Sequence, residues 1–239
     1  MPGTDAGSGA GDDDEMGHTW RLWAADYRPD MPETEPGDSE SQRLEALWRG
    51  DFGQQYVQRN QAAGADRGDF WTTIVGRTQC RSVLEVGCNV GANLAHLATR
   101  IAPADLWGVD VNLDALEHLR GRLPGVNSGY GVARHLPFRD AWFDLTFTVA
   151  VLIHIPEDAL ALAVNELVRC ARRHVLCVEY VAADTVEVNY REQKGAFFKR
   201  DYGRIIGNLF PELELVDSGE LTKAGGFDDG LGWWLFAKH

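Results

Sequence analysis

The hydrophobic and polar positions of the chain predict strands that alternate with helices from residue 41 onward. Apolar runs of strand length occur at seven places: residues 81–87, 105–110, 128–132, 143–150, 174–181, 212–219 and 232–238. Apolar residues at helical spacing predict helices at 41–49, 68–75, 91–101, 113–123, 157–171 and 199–209. This alternation is typical of a parallel sheet, and the last two strands, which no helix separates, are expected to form an antiparallel hairpin.

The first strand leads into a glycine-containing turn that has the character of a nucleotide-binding site. Residues 83–93 read VLEVGCNVGAN, in which Glu85, Gly87 and Gly91 have the spacing E-x-G-x-x-x-G. The helix that follows begins with free backbone N–H groups, which can bind a ligand that approaches the turn. The next strand ends at Asp110, where the ribose of a nucleotide would lie.

The same turn argues against a dinucleotide-binding enzyme. The G-x-G-x-x-G fingerprint is met only at Gly87, because Asn89 and Ala92 occupy the other two glycine positions. A dehydrogenase is therefore a weak alternative. Asparagine tolerates positive φ, so we expect the turn to keep its shape with Asn89 in it.

The spacing of the turn resembles motif I of the class I S-adenosylmethionine (SAM)-dependent methyltransferases, and Asp110 matches their ribose-binding acid. The resemblance implies a Rossmann-like α/β fold with a seven-stranded, mostly parallel sheet, a C-terminal antiparallel hairpin and helices on both faces. It also implies SAM as the cofactor. The residues expected around SAM are Tyr56, Glu85, Gly87, Cys88, Asn89, Gly91, Asn93, Asp110, Val111, Asn112, Ala133, Leu136 and Thr148.

The segment after the fourth strand supplies the candidate catalytic residue. Residues 148–156 read TVAVLIHIP and place His154 beside the expected methyl donor. Methyl transfer from a sulfonium requires chiefly alignment, and a base is needed only when the acceptor atom loses a proton. An unperturbed imidazole titrates near neutral pH, so His154 is the candidate base. The competing interpretation is a histidine that only packs at the end of the strand.

Several segments outside the turn resemble the pseudaminic acid biosynthesis-associated methylases, from about residue 46 to the C-terminus. They are residues 48–60, 151–155, 186–202, 228–229 and 233–236. This resemblance implies a small polar acceptor, such as a sugar or a nucleotide sugar. The residues expected to contact it are Arg59, Asn60, Tyr190, Arg191 and Lys199. The competing interpretation is that Arg191 lies in a solvated loop and Lys199 in the first turn of a helix, without contact to the acceptor.

Composition limits the partners and the compartment. The formal charge is −13, and residues 1–40 hold eleven acids and two arginines, so the remainder is near neutral with −4. Binding of nucleic acid normally requires a basic surface, so this charge distribution argues against a nucleic-acid substrate. No apolar run reaches the ~20 residues that cross a bilayer. The four cysteines lack metal-ligand spacing, so we expect no metal site and a cytoplasmic protein with reduced thiols.

We divide the chain into an acidic extension (1–40), which we expect to be partly disordered, a helical cap (41–80) and a SAM-binding core (81–239), and we expect a monomer or homodimer. The main functional alternative keeps SAM and changes the acceptor to an amino-acid-derived or polyketide secondary metabolite, methylated on oxygen or nitrogen. A second alternative is a non-catalytic SAM-binding scaffold subunit.

Overall fold

The computed structural model describes residues 39–60 and 66–239. The expectation of a partly disordered acidic extension concerns residues that lie almost entirely before residue 39, outside these ranges. The strands are β1 Val83–Val86, β2 Leu106–Asp110, β3 Asn127–Tyr130, β4 Phe143–Val149, β5 Ala171–Tyr180, β6 Val186–Glu187, β7 Phe198–Lys199, β8 Glu214–Leu221 and β9 Leu231–Ala237. The helices are α1 Glu40–Arg49, α2 Asp51–Asn60, α3 Gly68–Thr78, α4 Ala92–Leu97, α5 Leu113–Arg122, α6 Glu157–Cys170 and α7 Tyr202–Leu209.

Seven of the strands form one mixed sheet in the order β3-β2-β1-β4-β5-β9-β8. The first five run parallel, β9 is antiparallel to β5, and β8 is antiparallel to β9. The expected parallel sheet with a C-terminal antiparallel hairpin is therefore confirmed. Strands β6 and β7 pair separately as a short antiparallel ladder that was not expected, and β7 includes Lys199, where the helix over 199–209 was expected to begin.

Buried side chains form a core on each face of the sheet because successive strand residues point to opposite sides. On one face, Leu84 and Val175 pack with the apolar residues of α6 and α7. On the other face, Val83 and Leu176 pack with those of α3, α4 and α5. The central parallel strands are therefore covered on both faces, as expected for the parallel part of an α/β sheet, whereas the edge strand β8 is largely exposed.

The segment 50–60, for which no element is expected from the sequence, forms helix α2. Its low mean hydropathy and two glycines hide the helical pattern. Gly53 is buried against α1, where an added Cβ would lie 1.7 Å from the carbonyl oxygen of Trp48 and 2.6 Å from Nδ2 of Asn112. Glycine is thus required at this position by the close approach of α1 and α2.

Helices α1 and α2 lie over the edge of the sheet where the parallel strands end. Arg134 donates two hydrogen bonds to Glu45 of α1, at 2.7 and 3.0 Å. The side chain of Asn112, in the loop after β2, donates to the carbonyl of Trp48 at 3.0 Å. Across the two described ranges, no helix is long and apolar enough to cross a membrane.

Candidate active site

A cavity of about 670 Å³ opens at the carboxyl ends of β1, β2, β4 and β5, under α1 and α2. Ligands of open α/β sheets bind at this edge, near the point where the strand order reverses. The volume lies within the range of small-molecule sites, about 300–1,000 Å³. The cavity is therefore the candidate active site.

The glycine turn forms one wall of the cavity. Gly87 has φ 74°, and an added Cβ would lie 2.4 Å from a methyl group of Val151. Asn89 has φ 47°, which confirms the expectation that asparagine takes the left-handed conformation here. The N–H groups of Gly87 and Cys88 both donate to the carbonyl of Val109, so the turn is anchored on β2.

Asp110 is held at the end of β2 by two backbone N–H groups. Its carboxylate accepts from Asn89 at 2.8 Å and from Asn112 at 2.9 Å, one bond to each oxygen. Burial raises the pKa of Asp110, and these hydrogen bonds oppose that rise. Each oxygen keeps a second lone pair, so Asp110 can still accept from ligand hydroxyls.

A chain of hydrogen bonds connects Glu85 to an arginine. Nη1 of Arg67 donates to Oδ1 of Asn93 at 2.8 Å, and Nδ2 of Asn93 donates to Oε1 of Glu85 at 2.7 Å. The other carboxyl oxygen of Glu85, Oε2, is buried and has no partner in the structure. Burial raises the pKa of Glu85 to about 8, although Asn93 and Arg67 oppose the rise. Such an unpaired buried acceptor is costly unless a ligand satisfies it.

His154 follows β4 and lines the cavity. Its Nδ1 lies 2.6 Å from the carbonyl oxygen of Ala196. Because a carbonyl only accepts, Nδ1 carries the proton, and Nε2 of the neutral ring is an acceptor. Burial lowers the pKa of His154 to about 4, which the bond to Ala196 opposes.

Aromatic rings surround His154. Trp48 of α1 lies 4.4 Å from the imidazole between ring centroids, and Tyr190 and Phe197 each lie 5.6 Å away. Tyr190 and Phe197 stack on each other at 5.4 Å. The aromatic rings thus give this part of the cavity largely apolar walls.

Most of the residues expected at the site line this one cavity. They are Tyr56, Arg59, Asn60, Glu85, Gly87, Cys88, Asn89, Asn93, Asp110, Val111, Asn112, Ala133, His154, Tyr190 and Arg191. Cys88 is buried and contributes a small packing side chain. The roles assigned to these residues stay predictions.

The structure does not bring four of the expected residues to the cavity wall. Leu136 packs in the core, and its N–H donates to Glu166. Thr148 is buried within β4, and Lys199 lies over the ring of Tyr180 at 5.5 Å. Gly91, with φ 74°, shapes the turn from behind the cavity. These four can influence the site only through the residues that they support.

Sequence reasoning missed Arg67 and Tyr180, and it assigned no site role to Asp228 although residues 228–229 belong to the family resemblance; all three line the cavity. The hydroxyl of Tyr180 donates to Asp228 at 2.8 Å. Tyr180 ends β5, so its position at the carboxyl end of a parallel strand was a usable signal. No comparable signal in the sequence pointed to Arg67, because its hydrogen-bond partners, Asn93 and the carbonyl of Gly226, lie far from it in the sequence.

Among residues 39–60 and 66–239, no group of three or more His, Cys, Asp or Glu side chains is arranged to hold a metal ion.

Comparison with known proteins identifies the central part of the chain. Residues 83–174 match the model of the methyltransferase domain family. A phthiotriol/phenolphthiotriol dimycocerosates methyltransferase of Mycobacterium tuberculosis is 35% identical over 94 residues, which are 38% of this chain and 34% of that protein. A fatty-acid O-methyltransferase of Mycolicibacterium smegmatis is 38% identical over 71 residues, 29% of this chain and 26% of that protein. The alignments span about a third of these curated relatives, or less.

Solved structures resemble the whole described fold. The 1,6-didemethyltoxoflavin N1-methyltransferase of Burkholderia thailandensis, with bound 1,6-didemethyltoxoflavin and S-adenosylhomocysteine, has a TM-score of 0.65 at 16% identity, over 86% of this chain and 93% of that one. The magnesium protoporphyrin IX methyltransferase of Synechocystis, with bound SAM, has a TM-score of 0.61 at 15% identity, over 86% of this chain and 100% of that one. The fold is therefore the Rossmann-like fold of the class I methyltransferases, as expected.

Proposed function

We propose, from the premise that residues 83–174 form a SAM-dependent methyltransferase domain, that this chain transfers a methyl group from SAM to a small molecule. The observation that carries the proposal is the pair of acids on one cavity wall. Asp110 ends β2, and Glu85 ends the hydrogen-bonded chain that begins at Arg67. SAM supplies a methyl group on a sulfonium, which is already activated towards nucleophiles.

The residues of the cavity fit the two polar ends of SAM. Asp110 has lone pairs for the ribose hydroxyls beyond its two backbone bonds. The unpaired Oε2 of Glu85 suits the ammonium of the amino-acid end. Arg67 uses Nε and Nη1 for bonds within the protein, and its remaining N–H groups suit the carboxylate. Glu85 and Arg67 thus match the ammonium and the carboxylate of the zwitterionic amino-acid end of SAM.

His154 is assigned as the base that receives the proton of the acceptor. The imidazole is neutral at physiological pH because its pKa is lowered to about 4, and its Nε2 is free to accept since Nδ1 donates to Ala196. The contribution of His154 to the rate depends on its position, because transfer from a cationic methyl donor requires alignment of the reactants more than a strong base. Arg59, Asn60, Tyr190 and Arg191 are proposed to contact the acceptor.

The resemblance to the pseudaminic acid biosynthesis-associated methylases supports a sugar or nucleotide sugar as the acceptor. Arg59 and Arg191 line the cavity on segments of that resemblance, and guanidinium groups suit phosphate and carboxylate. A second candidate is a ring-bearing secondary metabolite, which the aromatic residues around His154 favour. The named relatives act on lipid and fatty-acid substrates, so these belong among the acceptors to test.

Transfer of labelled methyl from SAM tests the proposal. We expect the purified chain to label one class among nucleotide sugars, phenolic or polyketide hydroxyls and fatty acids. With an acceptor that must lose a proton, such as a sugar or phenolic hydroxyl, His154→Gln should lower turnover by about 10²–10⁴-fold while keeping S-adenosylhomocysteine affinity. The matched control is His135→Gln, an exposed loop histidine outside the cavity, which should keep normal turnover. Normal turnover of His154→Gln would reject the base, and an absence of labelling in all classes would count against the activity.

A further inference from the structure

Glu179 is a buried carboxyl group that the proposed mechanism does not use. It lies near the end of β5 with 0% of its surface exposed. Its Oε1 accepts the backbone N–H groups of Val151 and Leu152 at 3.1 and 3.0 Å, and Oε2 accepts that of Ile153 at 3.2 Å. One side chain thus holds three consecutive peptide N–H groups of the turn after β4.

These three N–H groups belong to the turn that carries His154. Strand β4 ends at Val149, and Ala150 takes φ 55°, so the following N–H groups no longer face a neighbouring strand. Buried N–H groups of this kind require an acceptor. The N–H of His154 then donates to the carbonyl of Val151, which closes a short helical turn. The direction of the imidazole is therefore set by the backbone that Glu179 holds.

The turn also contacts the donor side of the cavity. Val151 and Ile153 line the cavity, and Val151 packs against the Cα of Gly87 in the glycine turn. Glu179 is not among the lining residues and stands behind the turn. It can thus act on the site only through the backbone at 150–154.

We propose that Glu179 is a positioning residue, which fixes the turn after β4 so that His154 faces the acceptor, without itself touching either substrate. This inference rests on the proposed methyl transfer. Misplacement of a reacting group by about 1 Å can lower a rate about 10²-fold, so the geometry of this turn is expected to affect turnover strongly.

A carboxylate suits this task better than the amide of the same shape. Burial raises the pKa of Glu179 to about 7, but the three N–H bonds oppose the rise and favour the carboxylate. Both oxygens of a carboxylate accept, whereas the amide of glutamine has one accepting oxygen and an NH₂ that only donates. Glutamine at position 179 can satisfy Val151 and Leu152, but its NH₂ would then face the N–H of Ile153. Glu179→Gln therefore disturbs the turn at one defined bond with almost no change in volume.

Asp144 provides a matched control near the start of β4, at the end of that strand opposite to the turn that Glu179 holds. It is also buried, with 3% of its surface exposed, and accepts the backbone N–H groups of Arg81 and Ser82 at 2.9 and 3.3 Å. Asp144 also pairs with Arg172, and it lies outside the cavity. Asp144→Asn should therefore lower stability, because it alters a buried and hydrogen-bonded acid, but it should not affect the cavity.

The test compares turnover, acceptor KM, S-adenosylhomocysteine affinity and melting temperature of the two variants. We expect Glu179→Gln to lower kcat about 10–100-fold and to keep S-adenosylhomocysteine affinity within about threefold. Asp144→Asn should keep kcat within about twofold, even if its melting temperature falls as much as that of Glu179→Gln. Unchanged kcat in Glu179→Gln would overturn the proposal, and so would equal losses of kcat in both variants. Should Glu179→Gln not fold, Glu179→Asp, with both oxygens on a shorter stem, replaces it.

A second readout separates this proposal from the proposed function. In ¹⁵N NMR spectra of the imidazoles, the His154 signal can be assigned by its loss in His154→Gln. The wild type should show a neutral ring protonated at Nδ1, because Nδ1 donates to Ala196. Glu179→Gln should shift this signal and Asp144→Asn should not. If no acceptor is methylated, the proposed function fails, and the NMR result still decides whether Glu179 positions His154.

Discussion

At the scale of residues, Glu85 and Asp110 are both buried carboxyl groups of the cavity, but their partners differ. Asp110 accepts two backbone N–H groups, which favour its ionised form. Glu85 accepts one side-chain N–H from Asn93, and burial raises its pKa to about 8. Glu85 therefore holds a proton near neutral pH in the free protein, and Asp110 is the better prepared of the two to accept from hydroxyl groups.

Ligand binding should release the proton of Glu85. A ligand ammonium beside the unpaired Oε2 favours the carboxylate and so lowers its pKa. We expect S-adenosylhomocysteine binding at pH 7 to release on the order of one proton. Isothermal titration in phosphate and in Tris, whose ionisation enthalpies differ, measures the number released. Glu85→Gln should bind without release, and equal apparent enthalpies of the wild type in both buffers would contradict the assignment.

The same pKa shift sets a pH dependence of folding. In the unfolded chain Glu85 ionises near 4.5, whereas in the fold it keeps its proton up to a pH of about 8. Its contribution to the free energy of unfolding is therefore fully present below pH 4.5 and is lost as the pH rises through about 8. Bound ligand should reduce this loss.

Individual site residues were predictable from sequence where the constraint is local. The glycine turn and Asp110 follow from spacing along two neighbouring strands, and Asn89 takes the left-handed conformation that its residue type allows. Arg67 was not predictable, because its role depends on Asn93 and Gly226, which only the fold brings together. Leu136 was expected beside SAM, but the structure places it in the core.

At the scale of elements, α1 and α2 make the cavity dependent on helices outside residues 83–174, which match the methyltransferase domain family. Asn112 donates to Trp48 of α1 and also caps α5, accepting the N–H of Ala115 at 3.0 Å. Trp48 in turn lies against His154. A shift of α1 would therefore be transmitted both to the loop after β2 and to the imidazole.

Substitution of Gly53 tests this coupling. Gly53→Ala places a Cβ 1.7 Å from the carbonyl oxygen of Trp48, so α1 and α2 must separate. We expect a loss of about 1–3 kcal/mol in the free energy of unfolding, together with weaker S-adenosylhomocysteine binding. The control is Gly76→Ala in α3, where an added Cβ meets nothing within 4 Å. This variant should bind normally and gain up to about 1 kcal/mol from helix propensity. Equal behaviour of the two variants would contradict the coupling.

Most elements were predictable because hydrophobic periodicity reflects two-sided burial of the sheet. Helix α2 was not, since its sequence is polar and its buried face contains Gly53 in place of a large apolar residue. The ladder of β6 and β7 was not either. Its strands are two residues each, too short to show alternation, and its turn places Arg191 and Glu192 at positive φ, 51° and 66°.

At the scale of the whole molecule, the order of the strands locates the site. The chain builds β2 and β3 on one side of β1, then crosses to β4 and β5 on the other, and the cavity opens where the direction changes. This much follows from alternation of strands and helices along the chain. The part of the cavity around His154 could not be predicted in this way, because α1, the loop at 190–197 and the segment before β9 line the cavity from three distant parts of the sequence.

Isothermal titration with S-adenosylhomocysteine tests the central claim, that this cavity binds the methyl donor through Asp110. We expect one-to-one binding at micromolar Kd or below for the wild type. Asp110→Ala removes two charge-assisted bonds and the ribose acceptor, and should weaken binding at least about tenfold. Asp105→Ala, an exposed acid just before β2 at its opposite end, should bind as the wild type does. Unchanged affinity in Asp110→Ala, or no binding by the wild type, would contradict the account.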